Sequence, residues 1–501
     1  MKREPNVLWI MADQHRADCL GCMGHPTAQT PNLDRLARDG VVFENAFCQS
    51  PACMASRASL LTGRYPASVR VRGMGILPPQ ETTFPEVLRR HGYRTGAFGK
   101  VHLTPEQYTL RQLNSDVPIL DWRRFAAEAV IPPFPDDPVK ENYGFETHVG
   151  CEDILQGRFR AWLRERSPEI LEKKPQRPCQ EGPGDLWVSP YPSPFHQSSF
   201  IASEAEAYIL SQKGGAPWFT FCSFVAPHHP FEAPADQIAR YQEADVPLPR
   251  RKGGTDPSSV PPFMHDWKPA AIDETSHYPE ATLRRIVWHY LASISLIDDG
   301  VGRLLSALAR TGQTDNTIVV FTADHGEHLG NHGLLRKTSV HFDETLRVPL
   351  IISAPGGAAG RRVKGLVELT DLHPTLLGLL GLPINPGVQG IDWSPRLRDG
   401  SEIGRDDIYA DMFDLSPQKF GTFTGPYGAV QTLRTPQWKL NLYPTAGPQY
   451  GQLFDLANDP DESRNLYADK GCQAMREELL WRLCARTHRN TDPLPLYLTQ
   501  F

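Results

Sequence analysis

The sequence has little of what marks membrane, secreted or nucleic-acid-binding proteins. No apolar run approaches the ~20 residues that a membrane-spanning helix needs. The nine cysteines fall at no disulfide or metal spacing, so we expect reduced thiols. The formal net charge is −6 and no basic stripe stands out, which gives no support to nucleic-acid binding. The apolar stretch 7–12 is too short for the core of an export signal. We therefore expect a cytoplasmic protein that binds neither membrane nor nucleic acid.

The chain is long enough to form two domains or one large domain with an appendage. It has 501 residues, of which 40% are hydrophobic and 22% are charged, as in folded globular proteins. A long helix is predicted over 282–308, interrupted at Gly300 and Gly302. The pattern changes near residue 395, and we expect one domain over 1–395 and a smaller one over 396–501. The short strands and the helix predicted in the second domain are 428–433, 438–443 and 473–487.

Four apolar runs each stop at a group of polar residues. Runs of this kind predict strands buried on both faces, as in a parallel α/β sheet, and they cover 6–12, 94–98, 218–225 and 317–322. In open α/β sheets the ligand crevice lies at the carboxyl ends of the strands. We therefore expect one edge of the sheet to gather Asp13, Gln14, Lys100, His102, His228, Asp324 and His325.

A further helix is predicted for the segment CMASRASLLT, because Ser50 and Pro51 suit the start of a helix and Gly63 suits its end. Cys53 would then lie in the first turn, where backbone N–H groups and the helix dipole favour an anion. Arg57 would lie on the same face, one turn later. Both effects lower the pKa of a thiol. These residues alone leave open whether Cys53 is reactive or is a small residue of the core.

The polar residues fall into two chemical sets. The side chains with oxygen or imidazole ligands are Asp13, Gln14, Asp324 and His325, a set that favours Ca²⁺, Mg²⁺ or Mn²⁺ over zinc. The cationic or proton-donating side chains are Arg57, Lys100, His102, His228 and Lys337. A metal ion beside several cations suits an oxyanion ester such as a sulfate or phosphate. Taken singly, each residue is better explained as a turn former, a loop residue or a solvated charge.

The ordered set of motifs resembles the sulfatase family of the alkaline phosphatase superfamily. The matching segments are 6–14, the signature at 53–64, the Lys-x-His element at 99–103, the Asp-His-Gly turn at 324–333 and the C-terminal segment 453–466. The resemblance implies an α/β fold with a large mixed, mostly parallel sheet flanked by helices, as in alkaline phosphatase. It also implies a smaller C-terminal α+β domain with an antiparallel sheet.

The resemblance implies a mechanism as well. In this family a maturase oxidises the signature cysteine, here Cys53, to formylglycine. One hydroxyl of the formylglycine hydrate attacks sulfur, and the other later expels sulfate. One divalent ion is implied, Ca²⁺ or Mn²⁺ before Mg²⁺.

The roles of the individual residues follow from the same resemblance. Arg57 and His102 would orient the diol. Lys100 and Lys337 would hold the sulfate oxygens, and His228 would contact the ester oxygen and protonate the leaving group. The residues implied as ligands of the ion are Asp13, Gln14, Cys53, Asp324 and His325.

Two positions depart from the usual pattern. Ala55 stands where the signature has proline, which oxygen-dependent maturases generally read and radical-type maturases do not require. Gln14 follows Asp13 where many sulfatases have a second aspartate, and the same pair occurs in the choline-sulfatase and phosphonate monoester hydrolase branches. The expected substrate is thus a small sulfate ester, or in the alternative a phosphonate monoester or phosphate diester. A non-catalytic binding protein with an unconverted Cys53 is the second alternative. The apolar tail 491–501 suits a homo-oligomer or a fold back on the same chain.

Overall fold

The computed structural model describes residues 4–104, 142–152, 157–179, 182–212, 214–249, 275, 278–337, 340–413 and 429–494. In these ranges the strands are β1 (Asn6–Ala12), β2 (Val41–Phe47), β3 (Arg94–Gly99), β4 (Thr147–Gly150), β5 (Leu186–Val188), β6 (Trp218–Ser223), β7 (Phe231–Ala233), β8 (Thr317–Ala323), β9 (Arg347–Val348), β10 (Leu350–Ser353), β11 (Arg361–Glu368), β12 (Ile408–Phe413), β13 (Ala429–Arg434), β14 (Trp438–Leu442) and β15 (Gly451–Asp455).

The α-helices in the same ranges vary from one turn to eight turns in length. They are α1 (Pro31–Arg38), α2 (Cys53–Thr62), α3 (Phe84–Arg90), α4 (Gly157–Arg166), α5 (Gln197–Ser211), α6 (Ala235–Ile238), α7 (Glu280–Arg310), α8 (Asp343–Leu346), α9 (Leu372–Leu380), α10 (Ser394–Asp399) and α11 (Gln473–Arg489). In the described part of the chain, every helix is too short or too polar to cross a membrane.

The large sheet is mixed and mostly parallel, as predicted. Its strands lie in the order β11-β2-β10-β8-β1-β6-β3-β4, and the short strand β9 pairs with the end of β2. The central strands β8, β1, β6 and β3 run parallel, whereas β10 runs antiparallel to both of its neighbours. The four central strands carry their carboxyl ends at one edge of the sheet, which is where the polar residues follow them.

Both faces of the sheet are covered, which explains the continuous apolar runs in the sequence. Side chains alternate along β1, and Trp9 packs in one hydrophobic core while Leu8 and Ile10 pack in the other. A strand buried on both faces cannot show the polar–apolar alternation of a half-exposed strand. The helix α7 covers one face together with α5, and α2, α3 and α9 belong to the other side.

The predicted interruption of the long helix is wrong. The helix α7 continues through Gly300 and Gly302 without a break. A Cβ atom at Gly300 would lie 3.0 Å from the ring of Phe224, and one at Gly302 would lie 2.7 Å from the amide of Asn32. The two glycines therefore let neighbouring segments approach the helix closely, and the helix keeps its hydrogen bonds.

The helix that carries Cys53 begins later than the capping pattern predicted. Its N-cap is Ala52, and the hydroxyl of Ser50 is buried and accepts no hydrogen bond from the helix. Cys53 is the first residue of α2, so its place in the first turn is as predicted. Gly63 ends the helix with a φ of 68°, the left-handed conformation that glycine adopts most readily.

The C-terminal sheet is antiparallel, in the order β12-β13-β14-β15. Its strands β13 and β14 and the helix α11 correspond to the elements predicted at 428–433, 438–443 and 473–487. Leu479 and Leu483 of α11 pack on this sheet. Ile408 of β12 belongs to the core beneath the large sheet, so the two sheets share apolar contacts. The domain boundary after residue 395 stays a prediction.

A buried ion network joins the C-terminal sheet to α8. The ammonium of Lys439 in β14 is fully buried and lies 2.8 Å from a carboxylate oxygen of Asp343 in α8. It lies at the same distance, 2.8 Å, from Glu462. Burial raises the pKa of Glu462 to about 8 although Lys439 opposes this rise, whereas Asp343 has a second cation, Arg434, at 3.3 Å.

Removal of Lys439 should therefore destabilise the protein strongly. Lys439→Met leaves Glu462 without its ion-pair partner and leaves Asp343 with Arg434 alone, a change that costs about 3–5 kcal/mol of unfolding free energy. Urea denaturation followed by circular dichroism measures the loss. Lys364→Met, at an exposed position, is the matched control and should change the stability by less than about 0.5 kcal/mol. Equal effects of the two substitutions would contradict the role given to Lys439.

Candidate active site

The carboxyl ends of the central strands bring the sequence-predicted residues together. Asp13 follows β1, Lys100 follows β3 and Asp324 follows β8, while the first turn of α2 presents Cys53 to the same place. The carboxyl groups of Asp13 and Asp324, the ammonium of Lys100 and the thiol of Cys53 are all buried. The parallel strands end at the same edge of the sheet, so the residues that follow neighbouring strands lie next to one another.

Arg57 lies at the centre of the group and is fully buried. Its Nε donates to Asp324 Oδ2 at 2.8 Å and its Nη2 donates to Asp13 Oδ2 at 3.2 Å. Its Nη1 donates to the carbonyl of Lys100 at 2.6 Å and to the hydroxyl of Ser223 at 3.0 Å. Burial tends to lower the pKa of the guanidinium, but Asp324 and Asp13 outweigh it and raise the pKa. Arg57 thus stays charged and holds the two carboxylates side by side.

Asp13 is the carboxylate with a free coordination position. Its Oδ2 lies 2.8 Å from the ammonium of Lys100, whereas its Oδ1 accepts no hydrogen bond from the described residues although it is buried. Burial alone would raise the pKa of Asp13, yet Lys100, together with other nearby cations, holds it well below its usual range. Asp13 is therefore ionised, and its Oδ1, 3.6 Å from His325 Nε2, is without a hydrogen bond from the described residues.

Cys53 faces a histidine and a lysine. Its Sγ lies 3.4 Å from His325 Nε2 and 3.1 Å from Lys337 Nζ. His325 Nδ1 lies 2.9 Å from the carbonyl of Gly326, which requires the Nδ1 proton and leaves a lone pair on Nε2. Burial lowers the pKa of His325, so the ring is neutral and can act as a ligand.

Four side chains form a group that could hold a metal ion. One ligand atom from each of Asp13, Cys53, Asp324 and His325 lies within 4.8 Å of the others. The unused Asp13 Oδ1 and the Nε2 lone pair of His325 are the buried acceptors that a cation would satisfy. The residues therefore fit a divalent ion. Gln14 lies beside this group, with its Oε1 3.0 Å from Lys337 Nζ.

His228 and Lys337 stand on the outer side of Cys53. Lys337 Nζ lies 2.8 Å from His228 Nε2, and His228 Nδ1 lies 2.6 Å from the carbonyl of His229. Burial lowers the pKa of His228, and the ammonium of Lys337 lowers it further. His228 is thus neutral here, with its proton on Nδ1 and with Nε2 accepting from Lys337.

His102 is a predicted site residue with no described hydrogen bond to the group around Cys53. It is buried, with a left-handed φ of 51°. Its Nδ1 has no hydrogen-bond partner among the described residues. None of the hydrogen bonds described for the chain joins it to Cys53. The proposed role of His102 in orienting the nucleophile therefore stays a prediction.

Sequence reasoning missed several residues that hold the site in place. The hydroxyl of Ser223 accepts from Arg57, but the apolar run 218–225 concealed the end of β6 at this serine. Glu327 accepts from the amide of Gln14 and stands inside the Asp-His-Gly-Glu motif, which was a usable signal. The Tyr290 hydroxyl donates to the carbonyl of Gln14 at 2.5 Å, and nothing in the helix pattern around it could have revealed this contact.

Comparison with known proteins places the chain in a family. The sequence profile described as Sulfatase matches residues 5–382, and the profile described as N-sulphoglucosamine sulphohydrolase, C-terminal, matches residues 330–489. The chain belongs to the sulfatase family of the alkaline phosphatase superfamily, and it is a hydrolase of that family.

The relatives include proteins named as sulfatases and proteins named as phosphonate monoester hydrolases. The chain is 29% identical over 479 residues to an arylsulfatase of Clostridium perfringens, covering 92% of this chain and 90% of that protein. It is 30% identical over 526 residues to the multifunctional alkaline phosphatase superfamily protein PehA of Trinickia caryophylli, covering 97% and 98%. The solved phosphonate monoester hydrolase of Agrobacterium radiobacter has a TM-score of 0.80 at 28% identity, covering 99% of this chain and 98% of that one.

The buried acceptors predict that divalent ions stabilise the protein. A ligand that binds only the folded state at about a hundred times its Kd contributes about 2.7 kcal/mol. Thermal unfolding of chelator-treated protein, with Ca²⁺ and Mn²⁺ added separately, measures the effect. Asp13→Asn should abolish it, whereas Asp299→Asn, which changes a half-exposed carboxylate paired with Arg240, should keep it. Stabilisation that survives Asp13→Asn would exclude this group as the ion site.

Proposed function

We propose that the protein hydrolyses sulfate esters with a formylglycine made from Cys53. The observation that carries the proposal is the position of Cys53, whose Sγ lies 3.4 Å from His325 and 3.1 Å from Lys337 at the start of α2. This atom lies between candidate ligands of an ion and a cation that can bind an anionic substrate. No purely structural requirement of the fold asks for this combination around a buried thiol.

The ion and the modified residue would be held by side chains already in place. Asp13, Asp324 and His325 supply ligands for the ion, with Gln14 beside them, and the oxygen donors favour Ca²⁺ or Mn²⁺. Together the ion and formylglycine would supply an oxygen nucleophile acidic enough to act near neutral pH. Arg57 contacts both Asp13 and Asp324 and holds the two side chains close together, so that the ligands are preorganised.

Substrate binding would fall to Lys337 and Lys100. Lys337 Nζ lies within hydrogen-bond distance of both Cys53 Sγ and His228 Nε2. An anionic oxygen of the substrate bound by Lys337 would therefore lie between the nucleophile and His228. The ester oxygen of the same substrate would then lie near His228. Lys100 is already paired with Asp13 and adds its positive charge from the inner side.

His228 can act as the proton donor because the substrate is an anion. Without substrate, burial and the ammonium of Lys337 keep the ring neutral. A negative charge within about 4–6 Å favours the protonated form of a histidine. Binding of the ester would thus raise the pKa of His228 and supply the proton that the leaving group needs.

Hydrolysis of phosphonate monoesters is the second candidate. It is supported by the 0.80 TM-score to the Agrobacterium radiobacter phosphonate monoester hydrolase and by Gln14, which leaves the site with one carboxylate fewer than an Asp–Asp pair. Sulfate esters and phosphonate monoesters both present a tetrahedral centre with a single negative charge, so the same cations suit either.

Conversion of Cys53 can be tested directly by mass spectrometry. Trypsin should release the peptide 39–57 from protein made in its native host. We expect loss of sulfur with gain of an aldehyde oxygen at Cys53, as a radical-type maturase that accepts Ala55 would produce. Cys48 in the same peptide is the internal control and should remain a thiol. An unmodified Cys53 in native protein would contradict the mechanism and favour the binding-protein alternative.

The substrate class can be tested with matched esters of one phenol. We expect a higher kcat/KM for the aryl sulfate than for the aryl phosphonate, and loss of both activities in Cys53→Ala. A much higher kcat/KM for the phosphonate would replace the sulfatase proposal with the second candidate. His228→Asn should lower kcat by about 10²–10⁴ on esters with poor leaving groups. On nitrophenyl esters the loss should be smaller, because that leaving group needs little protonation.

A further inference from the structure

Three residues in the left-handed conformation converge on one carboxylate. Gln14, Leu329 and Arg336 have φ values of 64°, 51° and 65°. This conformation is unfavourable for residues other than glycine and persists only where the surroundings enforce it. All three donate to Glu327, which is fully buried. Leu329 N–H donates to Oε1 at 2.9 Å, Arg336 N–H donates to the same oxygen, and the Gln14 amide donates to Oε2.

The contacts of Gln14 fix the orientation of its amide. Its Nε2 donates to Glu327 Oε2 and lies 3.4 Å from His229 Nδ1, while its Oε1 accepts from Lys337 Nζ at 3.0 Å. The reversed amide would turn its oxygen to the Glu327 carboxylate and its NH₂ to the Lys337 ammonium, which are two repulsive contacts. Since an amide has donors on one side only, the network permits a single orientation.

The orientation matters because of where the oxygen then lies. Lys337 Nζ, which contacts Gln14 Oε1, is 3.1 Å from Cys53 Sγ. The backbone of Gln14 is tied to the same place, since its N–H donates to Asp324 Oδ1 at 3.0 Å. Glu327 thus turns the oxygen of Gln14 towards Lys337, which lies beside Cys53, and turns its NH₂ the other way.

We propose that Glu327 is a positioning residue that presents Gln14 Oε1 to the ion site. The proposal rests on the ion site of the proposed function. Glu327 also accepts from the backbone N–H of Arg336, the residue before Lys337. One carboxylate therefore fixes both the side chain of Gln14 and the backbone next to Lys337. The pairing accounts for glutamine at position 14, because a carboxylate there would face the carboxylate of Glu327.

The test is the affinity of the chelator-treated full chain for Mn²⁺, measured by calorimetry. In Glu327→Gln the NH₂ of the new amide must face either the two backbone N–H groups or the NH₂ of Gln14. In both orientations a donor faces a donor. We expect Mn²⁺ binding to weaken 10- to 100-fold, the usual effect of losing a partner that orients a ligand. In the reversed pair, Gln14→Glu with Glu327→Gln, the amide at position 327 donates to the carboxylate at position 14. This double variant should recover the Mn²⁺ affinity. Failure of the reversed pair to recover it would overturn the proposal.

A double-mutant cycle separates positioning from simple loss of charge. In a Gln14→Leu background, Glu327→Gln should have no further effect on the Mn²⁺ affinity, because there is no amide left to orient. Glu344→Gln removes another buried carboxylate, which pairs with His332, and should leave the affinity near that of the unmodified chain. A Glu327 effect that persists without Gln14 would overturn the proposal while leaving the ion site intact. A chain that binds no Mn²⁺ at all would instead contradict the ion site itself.

Discussion

The site depends on one buried guanidinium held between two carboxylates. Arg57 contacts Asp324 at 2.8 Å and Asp13 at 3.2 Å, and all three side chains are excluded from water. Buried carboxylates need a counter-charge in a dry interior, and the guanidinium supplies it to both. Lys100 completes the balance at Asp13. Two negative and two positive charges then compensate each other, and Lys337 is left to face the exterior side of Cys53.

The backbone makes this charge group possible. Gly99 ends β3 with a φ of 96°, and a Cβ atom there would lie 1.9 Å from the carbonyl oxygen of Ser223. Only glycine fits this close approach of the end of β3 to the end of β6, and the approach brings the carbonyl of Lys100 and the hydroxyl of Ser223 to Arg57. The parallel sheet supplies the common edge, and the first turn of α2 supplies Cys53 with the positive end of a helix dipole.

Much of this arrangement could be predicted from the sequence, because it follows from periodicity and from the ends of strands. The run 6–12 predicted β1 to the residue, and Asp13 then had to stand at the edge of the sheet. Tertiary contacts decided the rest. Gly300 looked like a helix break and is a packing position, and Ser50 looked like a helix cap that the chain does not use. Tyr290 reaches Gln14 across 276 positions, a distance that no local pattern encodes.

The pair formed by Lys337 and His228 connects recognition to proton supply. Lys337 Nζ and His228 Nε2 are 2.8 Å apart, so His228 Nε2 cannot be protonated while it accepts a hydrogen bond from the Lys337 ammonium. Burial lowers the pKa of His228, and the lysine that is to bind the anion lowers it further, so that the histidine is neutral beforehand. An anionic ester removes this conflict, because its oxygen accepts from the ammonium and its charge favours a protonated ring. A neutral ester would bring no such change, so under the proposed function the pair favours anionic esters at the proton-transfer step as well as in binding.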